Sequence, residues 1–260
     1  MAMLPVLIGL EVLLAAVALS ELGPWPLLLV SGTVLLIYLW VSLHGGREYT
    51  ELQRGEMPWL YDGIAEMAGK ADLPMPGVYL LDEYVPTAYS FRNAIVLSLG
   101  LFEVLDREEI LAVAAHELGH IKNGDTRTFP LLAYSRHLMA FLTAVVVLLA
   151  GPIAGAAAMG LLILHEILRA RFHKEREFAA DETALRLLKT PVSLKRALEE
   201  LKYYEDLREG LRSSAVPSLE PGIERKQRVP IIDTHPSYDE RILRILLEIH
   251  GNNMFNNRVQ

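Results

Sequence analysis

The sequence predicts a mainly α membrane protein: about four transmembrane or membrane-embedded helices, joined to a polar α+β part with a small sheet of about three strands. Three observations predict it. Apolar residues make up 52% of the 260-residue chain although 22% of its residues are charged, and the mean hydropathy is positive. The apolar residues are therefore gathered into blocks that alternate with polar ones, and the strongest blocks approach the roughly 20 residues that a helix needs to span a bilayer. Runs rich in β-branched and aromatic residues, bracketed by proline, fall in the polar stretch between the second and third apolar blocks.

Residues 4–20, LPVLIGLEVLLAAVALS, are apolar apart from Glu11. After the turn Glu21-Leu22-Gly23-Pro24, residues 25–43, WPLLLVSGTVLLIYLWVSL, are apolar again. The pair reads as a transmembrane hairpin. A cleaved signal peptide fits the first segment less well, because a basic start and a small-residue cleavage site are both missing. Trp25, Tyr38 and Trp40 stand near the ends of the second span, where aromatic belts lie. Glu11 is costly in lipid and is expected to face the helix bundle; the pattern leaves open whether it has a role.

Residues 44–128 are polar in character. MPWLYDGIAEMAGKAD reads as an amphipathic helix, residues 77–83, 86–91 and 94–99 read as strands, and the short segment LFEVL leads into a further helix. Residues 129–168 are apolar, with their strongest runs at 138–150 and 153–164 split by Gly151-Pro152. Each run is short for a span, so two crossings extended to Tyr134 and Leu168, a hairpin that stops short, and a buried soluble helix pair all fit. Residues 169–212 are helical and highly charged. A loop, 213–236, follows; its length and its Ser, Pro and Gly content mark it as mobile or functional. Ser237 and Glu240 form a capping box that starts a last helix. The chain thus divides into residues 1–43, 44–128, 129–168 and 169–260.

The chemistry sits in DREEILAVAAHELGHIKNGD. Asp106 and Glu109 form a capping box, and Gly124 offers a left-handed end, so a helix is expected between them. His116 and His120 share one face, four residues apart. This His-Glu-x-x-His spacing lets two imidazoles hold a zinc ion while Glu117 acts as base on water at the metal. With no cysteine in the chain, every metal ligand has to be His or carboxylate. A catalytic zinc takes a third protein ligand and keeps one position open. A third His six residues past the second is excluded, because Thr126 stands there. In ARFHKEREFAADETALRLL, Glu177 can bind the metal while Asp181, on the same face, holds an imidazole by its second nitrogen. Glu175, Glu177 and Glu182 lie in a charge run, and His173 shares the Glu177 face, so spacing alone leaves the third ligand open.

The four apolar segments, HELGHIKNGD and EFAAD together resemble the HtpX-type integral membrane zinc metallopeptidases, relatives of the CAAX prenyl endopeptidases in the glutamate-zincin class. The likeness covers nearly the whole chain. It implies a zincin-like catalytic domain built from residues 44–128 and 169–260. One zinc per chain is then bound by His116, His120 and Glu177, with Glu117 as general base and acid. It further implies that His235, followed by Pro236, stabilises the oxyanion, and that Arg241 pairs with Asp181. An edge strand made of Ala88, Tyr89, Ser90 and Phe91 would add the substrate backbone as a further strand; Thr87 departs from the Asn that the family often carries. His44, His137, His165 and His250 read as interface or surface residues.

The expected function is a membrane-bound endopeptidase acting on misfolded or damaged membrane and cytoplasmic proteins, a stress-response role implied by the resemblance. A dedicated processor of prenylated proteins and a membrane scaffold with a structural zinc site are the alternatives; a fourth protein ligand would favour the scaffold. Lys and Arg avoid both tight turns and collect at Arg47, Arg54, Arg136, Arg169, Arg171, Lys174 and Arg176. By the positive-inside tendency this puts the catalytic part in the cytoplasm. The expected partners are protein or peptide substrates and the lipid bilayer. The net charge of −7 and the lack of a basic stripe give no sign of nucleic-acid binding.

Overall fold

A computed structural model describes residues 3–44, 49–213 and 235–256. The elements, in order, are α1 (Met3–Leu22), α2 (Pro24–His44), β1 (Tyr49–Glu51), α3 (Pro58–Lys70), β2 (Gly77–Leu81), β3 (Ala88–Phe91), β4 (Ala94–Ser98), α4 (Leu99–Val104), α5 (Arg107–Asn123), α6 (Asp125–Leu149), α7 (Gly151–Leu187), α8 (Val192–Ser213) and α9 (Tyr238–Asn256). Most of the 213–236 loop lies outside the described residues, as do the last four residues of the chain.

The elements gather into two units. One takes its described residues from Met1–Arg47, Arg127–Glu175 and Arg228–His235, the other from Glu48–Thr126, Arg176–Gln227 and Pro236–Gln260. Each is therefore assembled from stretches that are far apart in the sequence.

The first unit is helical. Leu14, Ala18, Val30, Val34, Met139, Leu142, Val146 and Ala158 form its main core, and Leu7, Leu132 and Phe172 form a smaller one. The outward faces are as apolar as the core: Leu29 is 71% exposed, Leu148 79% and Ile153 87%. A soluble helix pair would not leave so much contiguous apolar surface in water, whereas a bilayer covers it. By length and composition α1, α6 and α7 can each cross a membrane, and Pro24–Ile37 adds a shorter apolar stretch. The two later apolar runs that looked short in sequence are thus parts of longer helices. Helix α6 tolerates an internal Pro130, as membrane helices commonly do.

Glu11 faces this bundle. Ser135 Oγ donates to Glu11 Oε1 at 2.6 Å, and His165 Nε2 lies 3.1 Å from the same hydroxyl. One polar cluster therefore ties α1, α6 and α7 together. Nearby, Glu166 accepts from Arg169 at 2.8 Å and lies 3.4 Å from Arg136. His165 is fully buried, so it belongs to the helix interface. His137 and His250, by contrast, are exposed and turn back on carbonyls four residues earlier.

The second unit is α+β. Its sheet has four strands, one more than the sequence suggested, in the order β1-β2-β4-β3. Strands β2 and β4 run parallel with Gly77 opposite Ala94, and β3 returns antiparallel to β4 with Phe91 opposite Ala94. The extra strand, β1, is three residues long and pairs antiparallel with β2. Every residue of β4 is buried, as a strand flanked on both sides within a covered sheet requires. Ile95 and Leu97 of β4 pack with Leu60 and Ile64 of α3, Leu118 of α5, Leu194 of α8 and Ile245 of α9. Each such side chain contributes about 1.5–3 kcal/mol through burial.

Candidate metal centre

Helix α5 begins and ends on local chemistry. The Asp106 side chain accepts from the Glu109 N–H at 2.9 Å, and the Glu109 carboxylate accepts from the Asp106 N–H at 2.9 Å. Gly124 ends the helix at φ +77°, a left-handed angle that glycine adopts without strain. An amphipathic helix with one dry face was expected. Instead every residue from Glu109 to His120 except Leu111 is buried, because α3, α8 and the sheet pack around the helix and the Glu177–Asp181 turn of α7 lies against the histidines.

Gly119 makes that approach possible. A Cβ placed there would lie 2.7 Å from the carbonyl oxygen of Ala180 and 3.0 Å from its Cα. Backbone meets backbone at this point. Glu177, three residues before Ala180, and Asp181, the residue after it, are thereby brought against His116 and His120.

His116, His120 and Glu177, all buried, form one group whose ligand atoms lie within 4.8 Å of one another. The two Nε2 atoms are 3.2 Å apart, and they lie 3.5 and 3.7 Å from Glu177 Oε2 and Oε1. Tetrahedral zinc with bonds of about 2.0–2.2 Å separates neighbouring ligand atoms by about 3.3–3.5 Å. The donor set, two imidazoles and a carboxylate, is also that of a catalytic zinc site. The residues fit the ion.

Both imidazoles are held from behind. Asp181 Oδ1 lies 2.8 Å from His116 Nδ1, and Arg241 donates to both Asp181 oxygens, at 2.8 Å from Nε. Arg241 also lies 3.9 Å from Glu177. On the other side, Asp125 Oδ2 lies 2.9 Å from His120 Nδ1, and Arg176 Nε donates to Asp125 Oδ1. Burial pushes the His116 imidazole down, and so does the Arg241 charge, but Asp181 and Glu177 outweigh both and raise it to about 9. Burial pushes the Asp181 carboxyl up; the Arg241 and His116 charges outweigh it and bring it down to about 2. Burial lowers the Arg241 guanidinium, yet Asp181 more than offsets this and raises it above the ordinary arginine range.

The other expected residues are placed as follows. Glu117 is buried, 6% exposed. His173 is not in the ligand group; its ring lies 4.5 Å from that of Phe129. His235 is exposed and stands two residues before the Ser237–Glu240 capping box that starts α9. Ala88, Tyr89, Ser90 and Phe91 form β3, an edge of the sheet. The sequence gives Asp125 no role, and it marks Arg176 only as one of the basic residues that flank the apolar segments. The signal was present, since Asp125 directly follows the glycine that ends α5.

Comparison with known proteins matches the chain to a family. The model of peptidase family M48 matches residues 55–248. "Protease HtpX homolog" of Aquifex aeolicus is 28% identical over 257 residues, covering 84% of this chain and 82% of that protein. The protein of the same name from Syntrophobacter fumaroxidans is 30% identical over 225 residues, 75% of this chain and 77% of its own. The crystal structure of S. mikatae Ste24p shares the fold, with a TM-score of 0.57 at 17% identity over 91% of this chain and 61% of that one. The chain belongs to peptidase family M48 and is a membrane-bound metallopeptidase.

Proposed function

We propose that the chain is an integral membrane zinc endopeptidase that cleaves misfolded or damaged membrane and cytoplasmic proteins, with its catalytic part on the cytoplasmic side. The single observation that carries the zinc assignment is the buried His116, His120 and Glu177 group, whose spacing suits a tetrahedral ion. Bound there, zinc would act as a Lewis acid that draws the pKa of water toward neutrality and polarises the scissile carbonyl.

The chain's own residues do the rest. Asp181 accepts the Nδ1 proton of His116 and so keeps its Nε2 free for the metal, and Arg241 keeps Asp181 ionised and in place. Glu117 takes a proton from the attacking water onto its carboxylate and delivers it to the leaving amine nitrogen, serving first as base and then as acid. His235 donates to the oxyanion of the tetrahedral intermediate. The outer edge of β3 pairs with the substrate backbone, so that sequence is read weakly and an extended, unfolded segment is required. This suits a quality-control protease, whose substrates share exposure of backbone rather than a motif. The cytoplasmic assignment is supported by the lack of Lys and Arg in both tight turns.

The test uses the full chain purified in detergent. Elemental analysis is expected to give about one zinc per chain, and an unstructured protein such as casein is expected to be cut, with chelation stopping cleavage and added zinc restoring it. Cleavage that survives removal of all bound metal would overturn the proposal.

A further inference from the structure

Helix α5 ends and α6 begins around Gly124. Its φ is +77°, and an added Cβ would meet nothing within 4 Å, so the backbone angle and not the available space calls for glycine there. The turn folds Asp125, the first residue of α6, back onto α5, where it reaches the ring of His120. Asp125 is 1% exposed, and a carboxylate buried to that degree needs a counter-charge and hydrogen bonds for both oxygens. His120 Nδ1 faces Oδ2, and Arg176 supplies the charge and the hydrogen bond to Oδ1. Its Nε donates to Asp125 Oδ1, and its Nη2 donates at 2.9 Å to the carbonyl of Asn123, the last residue of α5. A cation at this point also complements the negative end of the helix dipole. Arg176 precedes Glu177 on α7, and neighbouring side chains on a helix diverge by about 100°. Glu177 therefore enters the ligand group while Arg176 turns to the α5 terminus.

We propose that Asp125 and Arg176 are positioning residues for His120. Asp125 accepts the Nδ1 proton and fixes the tautomer and ring angle that present Nε2 to the metal. Arg176 holds Asp125 and the end of α5 at once. The inference rests on the metal-centre reading above, and it makes the ligand pair symmetric: each histidine is backed by an aspartate, and each aspartate by an arginine. The sequence carries this second arm as His120, Gly124 and Asp125, followed by the Arg176-Glu177 pair.

The experiment measures zinc dissociation constants by competition with a chelating dye, together with thermal unfolding of the metal-free chain in detergent. The set is wild type, Asp125→Ala, Asp125→Asn and Arg176→Gln. Asp125→Ala and Arg176→Gln are expected to weaken zinc binding about 10–100-fold, the usual cost of losing a partner behind a ligating histidine. Asp125→Asn keeps an acceptor oxygen for Nδ1–H and is expected to fall between them and wild type. Wild-type zinc affinity in folded Asp125→Ala and Arg176→Gln, whatever happens to their metal-free stability, would overturn the proposal and leave only a clamp on a helix end. Should Asp125→Ala fail to fold, Asp125→Asn and Arg176→Gln carry the same test. Failure of the wild type to bind zinc would overturn the metal-centre reading and this inference together, a result distinct from equal binding by all four proteins.

Discussion

Gly119→Ala is the sharpest perturbation of the proposed metal centre that keeps all three candidate ligands, His116, His120 and Glu177. The new Cβ would sit 2.7 Å from the Ala180 carbonyl oxygen, against about 3.3–3.6 Å for an ordinary C–H to carbonyl contact. The shortfall is about 0.6–0.9 Å by the same comparison. All three of the nearest atoms belong to the α7 backbone, so no side chain can rotate out of the way. The two helices that carry the ligands have to move apart, and metal–ligand distances tolerate about 0.2 Å. Overpacking is expected to cost about 1–3 kcal/mol, offset by about 1 kcal/mol from the better helix propensity of alanine. Thermal stability of the metal-free chain should therefore fall only modestly, while zinc affinity falls by more than about tenfold, since the ligands no longer meet. Chelator competition and thermal unfolding measure the two effects separately. Gly69→Ala in α3, where an added Cβ meets nothing within 4 Å, is the control and should leave zinc affinity unchanged. A Gly119→Ala chain that binds zinc as tightly as wild type would refute the close-approach argument.

The pH dependence has a definite sign. The folded-state pKa of His116 is raised to about 9, so its contribution to metal-free stability is full below about 6.5 and is lost as pH rises through 9. Asp181 is lowered to about 2, so its contribution is present above about 4 and is lost only as pH falls through 2. The metal-free unfolding temperature should fall between pH 6.5 and 9, and zinc binding at pH 7 should release the His116 proton; calorimetry in buffers of different ionisation enthalpy that finds no release would contradict this. In the membrane unit, Glu11→Ala removes the acceptor of Ser135 and should destabilise the detergent-solubilised bundle by roughly 1 kcal/mol. Unchanged resistance to denaturant would show that the cluster does not tie the three helices.

Much of this was legible where the determinants are local. Both ends of α5 follow from residues within one turn, namely Asp106 with Glu109 and the left-handed Gly124. The apolar helices and three strands follow from hydropathy and period. The proposed third ligand was not legible by spacing, because Glu177 stands in a charge run and the contact between Gly119 and Ala180, 61 residues apart in numbering, is what brings it to the histidines. Strand β1 is too short to show a period, and it exists because β2 offers it a partner. The partners of Glu11 lie 124 residues or more along the chain, so its role was invisible until the helices packed. Asp125 is the instructive miss. It lies only five residues from His120, but a helical register does not predict contacts across a left-handed cap.

The most direct measurement compares wild type with Glu117→Gln, both purified in detergent, for zinc content and for cleavage of casein. The account predicts about one zinc in each, because Glu117 is not a ligand, and cleavage by the wild type alone. Cleavage at the wild-type rate by Glu117→Gln, with zinc bound, would contradict it.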